Sequence, residues 1–235
     1  FQGPNRDGVL SGPRLDSNWT ARPPAVLWRQ RLGPACSGFA VVGDLAITQE
    51  QRGEAECVVA YDLAEGRTRW MQSDPAHYRT VIAGEGPRAT PTVVGRLVLT
   101  LGATGILNCR ELATGRLVWT RDVVKESGGQ VLEWGCTSSP LVVNGLVVVH
   151  GGEGARHSLH AFRLEDGTPA WSGGGSKPSY ASPSLVAKPL KPPSRLSSQA
   201  TSQIPASGPS GACTTPETRV AGGSVKRSAP RTTWR

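Results

Sequence analysis

The groups in this sequence that could do chemistry are scattered thiols, a histidine pair and charged or aromatic residues in glycine-rich loops. The five cysteines, Cys36, Cys57, Cys109, Cys136 and Cys213, include no Cys-x-x-Cys and no adjacent pair. Neither a zinc site nor a disulfide framework is indicated, and single thiols packed as small hydrophobes are expected. His157 and His160 are three apart; on a strand, such positions face opposite sides, so the two rings are not expected to share an ion. The run His150-Gly-Gly-Glu-Gly154 leads into another strand rather than a helix, which removes the helix N-terminus that attracts a phosphate. Arg88 has the planar fork to hold a carboxylate, and Trp134 the ring to stack on a planar ligand. No catalytic residue and no metal ligand set emerges from these spacings.

The elements that must position such groups are set by a repeat. Ala60-Tyr-Asp-Leu-Ala-Glu-Gly66-Arg-Thr-Arg-Trp70, Cys109-Arg-Glu-Leu-Ala-Thr-Gly115-Arg-Leu-Val-Trp119 and Ala161-Phe-Arg-Leu-Glu-Asp-Gly167-Thr-Pro-Ala-Trp171 align, each with Gly four residues before Trp. A second motif recurs out of phase: Ala89-Thr-Pro91, Ser138-Ser-Pro140 and Ala181-Ser-Pro183, each opening an apolar stretch. The middle period predicts strands over Thr92 to Val94, Leu97 to Leu101, Ile106 to Glu111 and Leu117 to Asp122, separated by glycine turns. Four short strands per period make a propeller blade. The glycine supplies the positive φ of a tight turn, and the Trp, near the middle of the outermost strand, suits a contact between blades.

The fold class is therefore all-β: a partial β-propeller of four-stranded antiparallel blades, about three blades plus the start of a fourth, over residues 1 to 187. The loops leading into each innermost strand place Glu85, Arg88, Glu133, Trp134 and Tyr180 at one mouth of the central channel, as candidate ligand or cofactor contacts. Ala25 to Leu32, around Trp28, reads as the fourth strand of a blade whose first three strands do not precede it.

The pattern Ala-x-Asp-x-x-x-Gly-x-x-x-Trp, complete at Ala60 to Trp70, resembles the tryptophan-docking motif of the pyrroloquinoline-quinone (PQQ) repeat family, the quinoprotein dehydrogenases and their non-enzymatic relatives. The opening Phe1-Gln-Gly-Pro-Asn-Arg-Asp-Gly8, the loop Gly84 to Pro91 and Glu133-Trp-Gly135 are similar to bacterial members. The resemblance implies a piece of a larger ring, a periplasmic or other extracytoplasmic setting, and a non-catalytic scaffold that binds a protein or carbohydrate partner and needs no cofactor. Its alternative is a fragment of a PQQ-dependent alcohol or sugar dehydrogenase, which the resemblance would supply with PQQ, calcium and an adjacent cysteine pair; that pair and clustered calcium-loop acids are absent from these residues. One fold hosts many activities, so the resemblance speaks to architecture first.

Charge supports this division of the chain. The formal charge is +8, but residues 188 to 235 hold eight Lys or Arg against one acid, so the body carries about +1. Without a basic patch on a recognisable module, nucleic-acid binding is not expected. The segment 188 to 235 is low in aliphatic residues and rich in Ser, Thr and Pro; it is expected to be a disordered basic tail, read as an interaction tail, a linker or out-of-frame translation. No transmembrane run or signal peptide is visible, and a chain opening at Phe1 says nothing about a leader. Open sheet edges are expected to promote self-association.

Overall fold

The computed structural model describes residues 3, 6–9, 12, 14–185 and 218–219. Three four-stranded antiparallel sheets, each a simple meander, carry the fold. The first blade is β1 (Ala40–Val42), β2 (Leu45–Arg52), β3 (Ala55–Asp62) and β4 (Thr68–Asp74). A short hairpin, β5 (Arg79–Thr80) and β6 (Gly84–Glu85), leads to the second blade: β7 (Thr92–Val94), β8 (Leu97–Leu101), β9 (Ile106–Glu111) and β10 (Leu117–Asp122). These four strands have the bounds that the sequence repeat predicts. After a one-turn helix, α1 (Val123–Glu126), the third blade follows as β11 (Leu141–Val143), β12 (Leu146–His150), β13 (Leu159–Arg163) and β14 (Pro169–Gly173). β15 (Pro183–Ser184) stands where the innermost strand of a fourth blade is due, and pairs in parallel with β16 (Thr218–Arg219). Apart from that pair of residues, the expected disordered tail lies outside the described residues.

The middle strands are buried along most of their length, β3 from Glu56 to Tyr61 and β9 from Leu107 to Arg110. Both faces of a strand are covered only where blade stacks on blade, so the alternation of a half-solvated sheet is lost. The core accordingly consists of the joints. Leu45, Ile47, Val58, Ala60 and Trp70 of the first blade meet Val98 of the second. Leu99, Leu101, Leu107, Cys109 and Trp119 of the second meet Val147, Val149 and Phe162 of the third.

Each joint repeats one device. Trp28, Trp70 and Trp119 donate their indole Nε1–H to the carbonyls of Leu63, Leu112 and Leu164 in the following blade, every time at 2.9 Å. The same rings lie on Gly66, Gly115 and Gly167, where a Cβ would come within 2.5, 2.5 and 2.6 Å of the indole. These glycines have φ of 70, 72 and 71°, so a side chain is opposed both by the backbone and by the ring. The residue across from each docked outer-strand Trp is small, Ala60 for Trp70 and Cys109 for Trp119, and both are fully buried. A register shift flanks the Trp at the same place in all three blades, a bulge that turns the ring toward the next sheet.

Residues 25–32 form no strand, which corrects the expectation there in one respect. With no described partner strand beside it, the segment has no ladder to join, yet Trp28 docks as an outer-strand Trp does. Trp171 occupies the equivalent register opposite Ala161 but remains 40% exposed, against 8% for Trp70 and 7% for Trp119.

Candidate functional site

The [Ser/Thr]-Pro motif acquires its meaning at the innermost strands. Gly38, Thr90, Ser139 and Ser182 are equivalent positions in successive blades. The Gly38 N–H donates to Thr90 Oγ1 at 3.2 Å, the Thr90 N–H to Ser139 Oγ at 3.0 Å, and the Ser139 N–H to Ser182 Oγ at 2.9 Å. Each hydroxyl thus accepts the N–H that the preceding blade cannot pair within its own sheet, and proline follows because it asks for no donor partner. Arg6 closes the same rim. Its guanidinium donates to the carbonyls of Pro183 (2.9 Å), Ser139 (3.3 Å) and Pro140, and to Thr92 Oγ1 (3.1 Å), tying three blades together. Burial lowers its pKa to about 10, which leaves it charged at neutral pH.

The five predicted mouth residues fall into two groups rather than one ligand pocket. Arg88 is buried, and its guanidinium donates to the carbonyls of Ala83 (2.7 Å), Gly84 (3.1 Å) and Gly86. It also lies over the Tyr78 ring, 4.8 Å from its centroid. The fork expected to grip a carboxylate therefore grips the backbone of the β5–β6 hairpin. Glu85 belongs to the same assembly: His77 bridges it at 3.0 Å and Glu54 at 3.2 Å.

Trp134 stacks on Tyr180 with centroids 4.9 Å apart and planes 24° apart, so one of its faces is taken by this chain. Glu133 is exposed, and its carbonyl and that of Leu132 accept from Tyr78 Oη. Tyr78 thereby links the hairpin to the Trp134 loop, and the tip of the hairpin projects Val81, fully exposed, and Ile82, 73% exposed. The sequence repeat carries no signal for this tip, which lies between two blades and outside both repeated motifs.

Inside the joint between the first two blades, Glu56 is buried, with one carboxylate oxygen on the Ala103 N–H at 3.0 Å and the other without a partner among the described residues. Burial pushes its pKa up to about 7, against the pull of that N–H. Its cross-strand neighbour Asp74 reaches Asn108 at 2.6 Å and Arg110 at 3.2 Å in the second blade. The free thiols Cys57, Cys109 and Cys136 are buried as expected, whereas Cys36 is exposed. His160 Nε2 lies 3.0 Å from the His157 carbonyl.

Residues 54–193 match the family model described as outer membrane protein assembly factor BamB. The chain belongs to that family of PQQ-like repeat propellers. BamB from Moraxella catarrhalis is 19% identical over 65% of this chain and 41% of its own length, with a TM-score of 0.43. Quinohemoprotein alcohol dehydrogenase from Comamonas testosteroni is 22% identical over 60% of this chain and 21% of its own, at 0.48. A europium-containing methanol dehydrogenase is 21% identical over 60% and 25%, at 0.46. The chain spans less than half the length of each of these structures, and no curated protein matches it.

The quinone and calcium ion of the alternative drawn from the sequence resemblance do not fit the mouth residues. The Arg88 fork is taken by carbonyls, Trp134 offers one face only, and Glu85 is held by His77. Among the described residues, no three His, Cys, Asp or Glu side chains converge as a metal set.

Proposed function

We propose that this BamB-family segment is a non-catalytic interaction scaffold of the bacterial cell envelope that presents its channel-mouth face to a polypeptide partner. The observation that carries this reading is the Val81–Ile82 tip. Two branched aliphatics stand in solvent on a hairpin whose base is fixed by Arg88, Tyr78 and His77. A pre-anchored apolar protrusion loses little conformational entropy on association, which is what a binding element requires. The envelope setting is supported by the family's description as an outer membrane protein assembly factor; among the described residues no helix is long and apolar enough to cross a membrane.

The test places a photo-crosslinking amino acid at position 81 of the full-length protein in its native cells, beside a Val81→Asp/Ile82→Asp variant. The expected result is a crosslink to a discrete polypeptide that the variant loses without a change in melting temperature. Reduction of a dye with an alcohol, after addition of PQQ and calcium to the full-length protein, would overturn the scaffold reading in favour of the dehydrogenase.

A further inference from the structure

A small cavity lies between the second and third blades, beside the segment that starts the fourth. Leu101, Leu132, Cys136, Ser138, His150 and Ser179 line it, and it is too small for an organic ligand. His150, at the end of β12, is 4% exposed. Its Nδ1 lies 3.1 Å from the Ser158 carbonyl. A carbonyl only accepts, so Nδ1 carries the proton and Nε2 presents a bare lone pair. That Nε2 is buried and has no partner among the described residues. An imidazole whose far nitrogen donates to a backbone carbonyl is in the tautomer and orientation of a metal ligand. Burial also lowers the His150 pKa to about 4, so the ring is neutral and competent to coordinate.

The repeat marks the position as unusual. His150 stands where Gln49 stands in the first blade, and Gln49 Nε2 donates to the Ala89 carbonyl at 2.7 Å. The third blade replaces a donor with a lone pair. Cys136 is 5% exposed and faces the same cavity. Burial first, and then the negative charges of Glu56 and Asp122, push its thiol up to about 12.

We infer that Cys136 and His150 form a buried two-coordinate site for a copper(I) ion. Thiolate and imidazole suit this soft monovalent cation, and two donors can satisfy it. Zinc requires four ligands as a rule, and no third His, Cys, Asp or Glu converges here among the described residues. On binding, the S–H bond breaks, Cu–S and Cu–N bonds form, and the thiol proton leaves to solvent, with no change in oxidation state. This assignment is independent of the scaffold reading.

The experiment titrates the protein, in a Cys36→Ser/Cys213→Ser background that leaves Cys57, Cys109 and Cys136 as its thiols, with copper(I) held by a competing chelator. One ion per chain is expected. Cys136→Ser and His150→Gln should each weaken binding by about 100-fold or more, since losing a ligand costs at least what losing its outer partner does. No capture by the parent, or an affinity unchanged by His150→Gln, overturns the site. Should either variant fail to fold, the imidazole nitrogen resonances of the parent decide. Copper(I) must shift Nε2 while Nδ1 stays protonated, and an unshifted Nε2 overturns the assignment.

Discussion

Single side chains in this molecule are committed to blade joints, and Glu56 shows the consequence for stability. Its carboxyl is buried between the first two blades with a folded-state pKa of about 7, above the ordinary value of 4.5. The folded state therefore binds the proton more tightly than the unfolded chain does. The contribution is present below about pH 4.5 and is lost as pH rises through about 7. Glu56→Gln removes this dependence. The stability of the parent relative to the variant should fall by about 3 kcal/mol between pH 4 and 8, read from urea midpoints at each pH. A constant difference would show that the carboxyl is solvated. None of this is legible in the sequence, because Glu56 sits in an unremarkable strand and its burial depends on Gly102 of the next blade, where a Cβ would strike its unpartnered oxygen. Arg88 differs in the opposite direction: the repeat places it at the mouth, but its hydrogen-bond partners are backbone carbonyls that no side-chain pattern announces.

Elements are far more legible than sites. Turn glycines and Trp spacing locate β7 to β10 and the outer strands because local chain chemistry fixes where a hairpin turns and which strand carries the ring. The partners of those features are not readable: the Leu carbonyl that receives each indole and the hydroxyl chain from Thr90 to Ser182 exist only once blades are stacked. Two glycines separate turn geometry from docking. At Gly95, with φ 55°, an added Cβ would meet nothing within 4 Å, whereas at Gly115, with φ 72°, it would meet the Trp70 ring at 2.5 Å. Gly95→Ala should cost about 1–2 kcal/mol, the backbone term alone. Gly115→Ala should cost about 3 kcal/mol or more, because the indole must also move. Equal losses in denaturant melts would remove docking as a source of stability.

At the scale of the whole molecule, the device that joins blades leaves Trp171 undocked among the described residues. Trp171 is 40% exposed on the side where the fourth blade is due, and an exposed apolar face invites association. Residues 1 to 187 alone are expected to sediment as concentration-dependent oligomers, and Trp171→Ser should shift them toward monomer. A monomeric parent at every concentration would count against the open-face account. The family and its architecture are readable because they rest on repeated local motifs. The proposed polypeptide contact is not, because it would rest on a surface assembled from separate loops, such as those that Tyr78 and Glu133 join.

Indoles locked between blades hold the whole architecture together, and exchange of their Nε1 protons with solvent, resolved residue by residue by nuclear magnetic resonance, tests that most directly. The protons of Trp70 and Trp119, bonded to Leu112 and Leu164 at 2.9 Å, should exchange only when the sheets come apart, orders of magnitude more slowly than that of the exposed Trp19. Exchange of all three at one rate would contradict it.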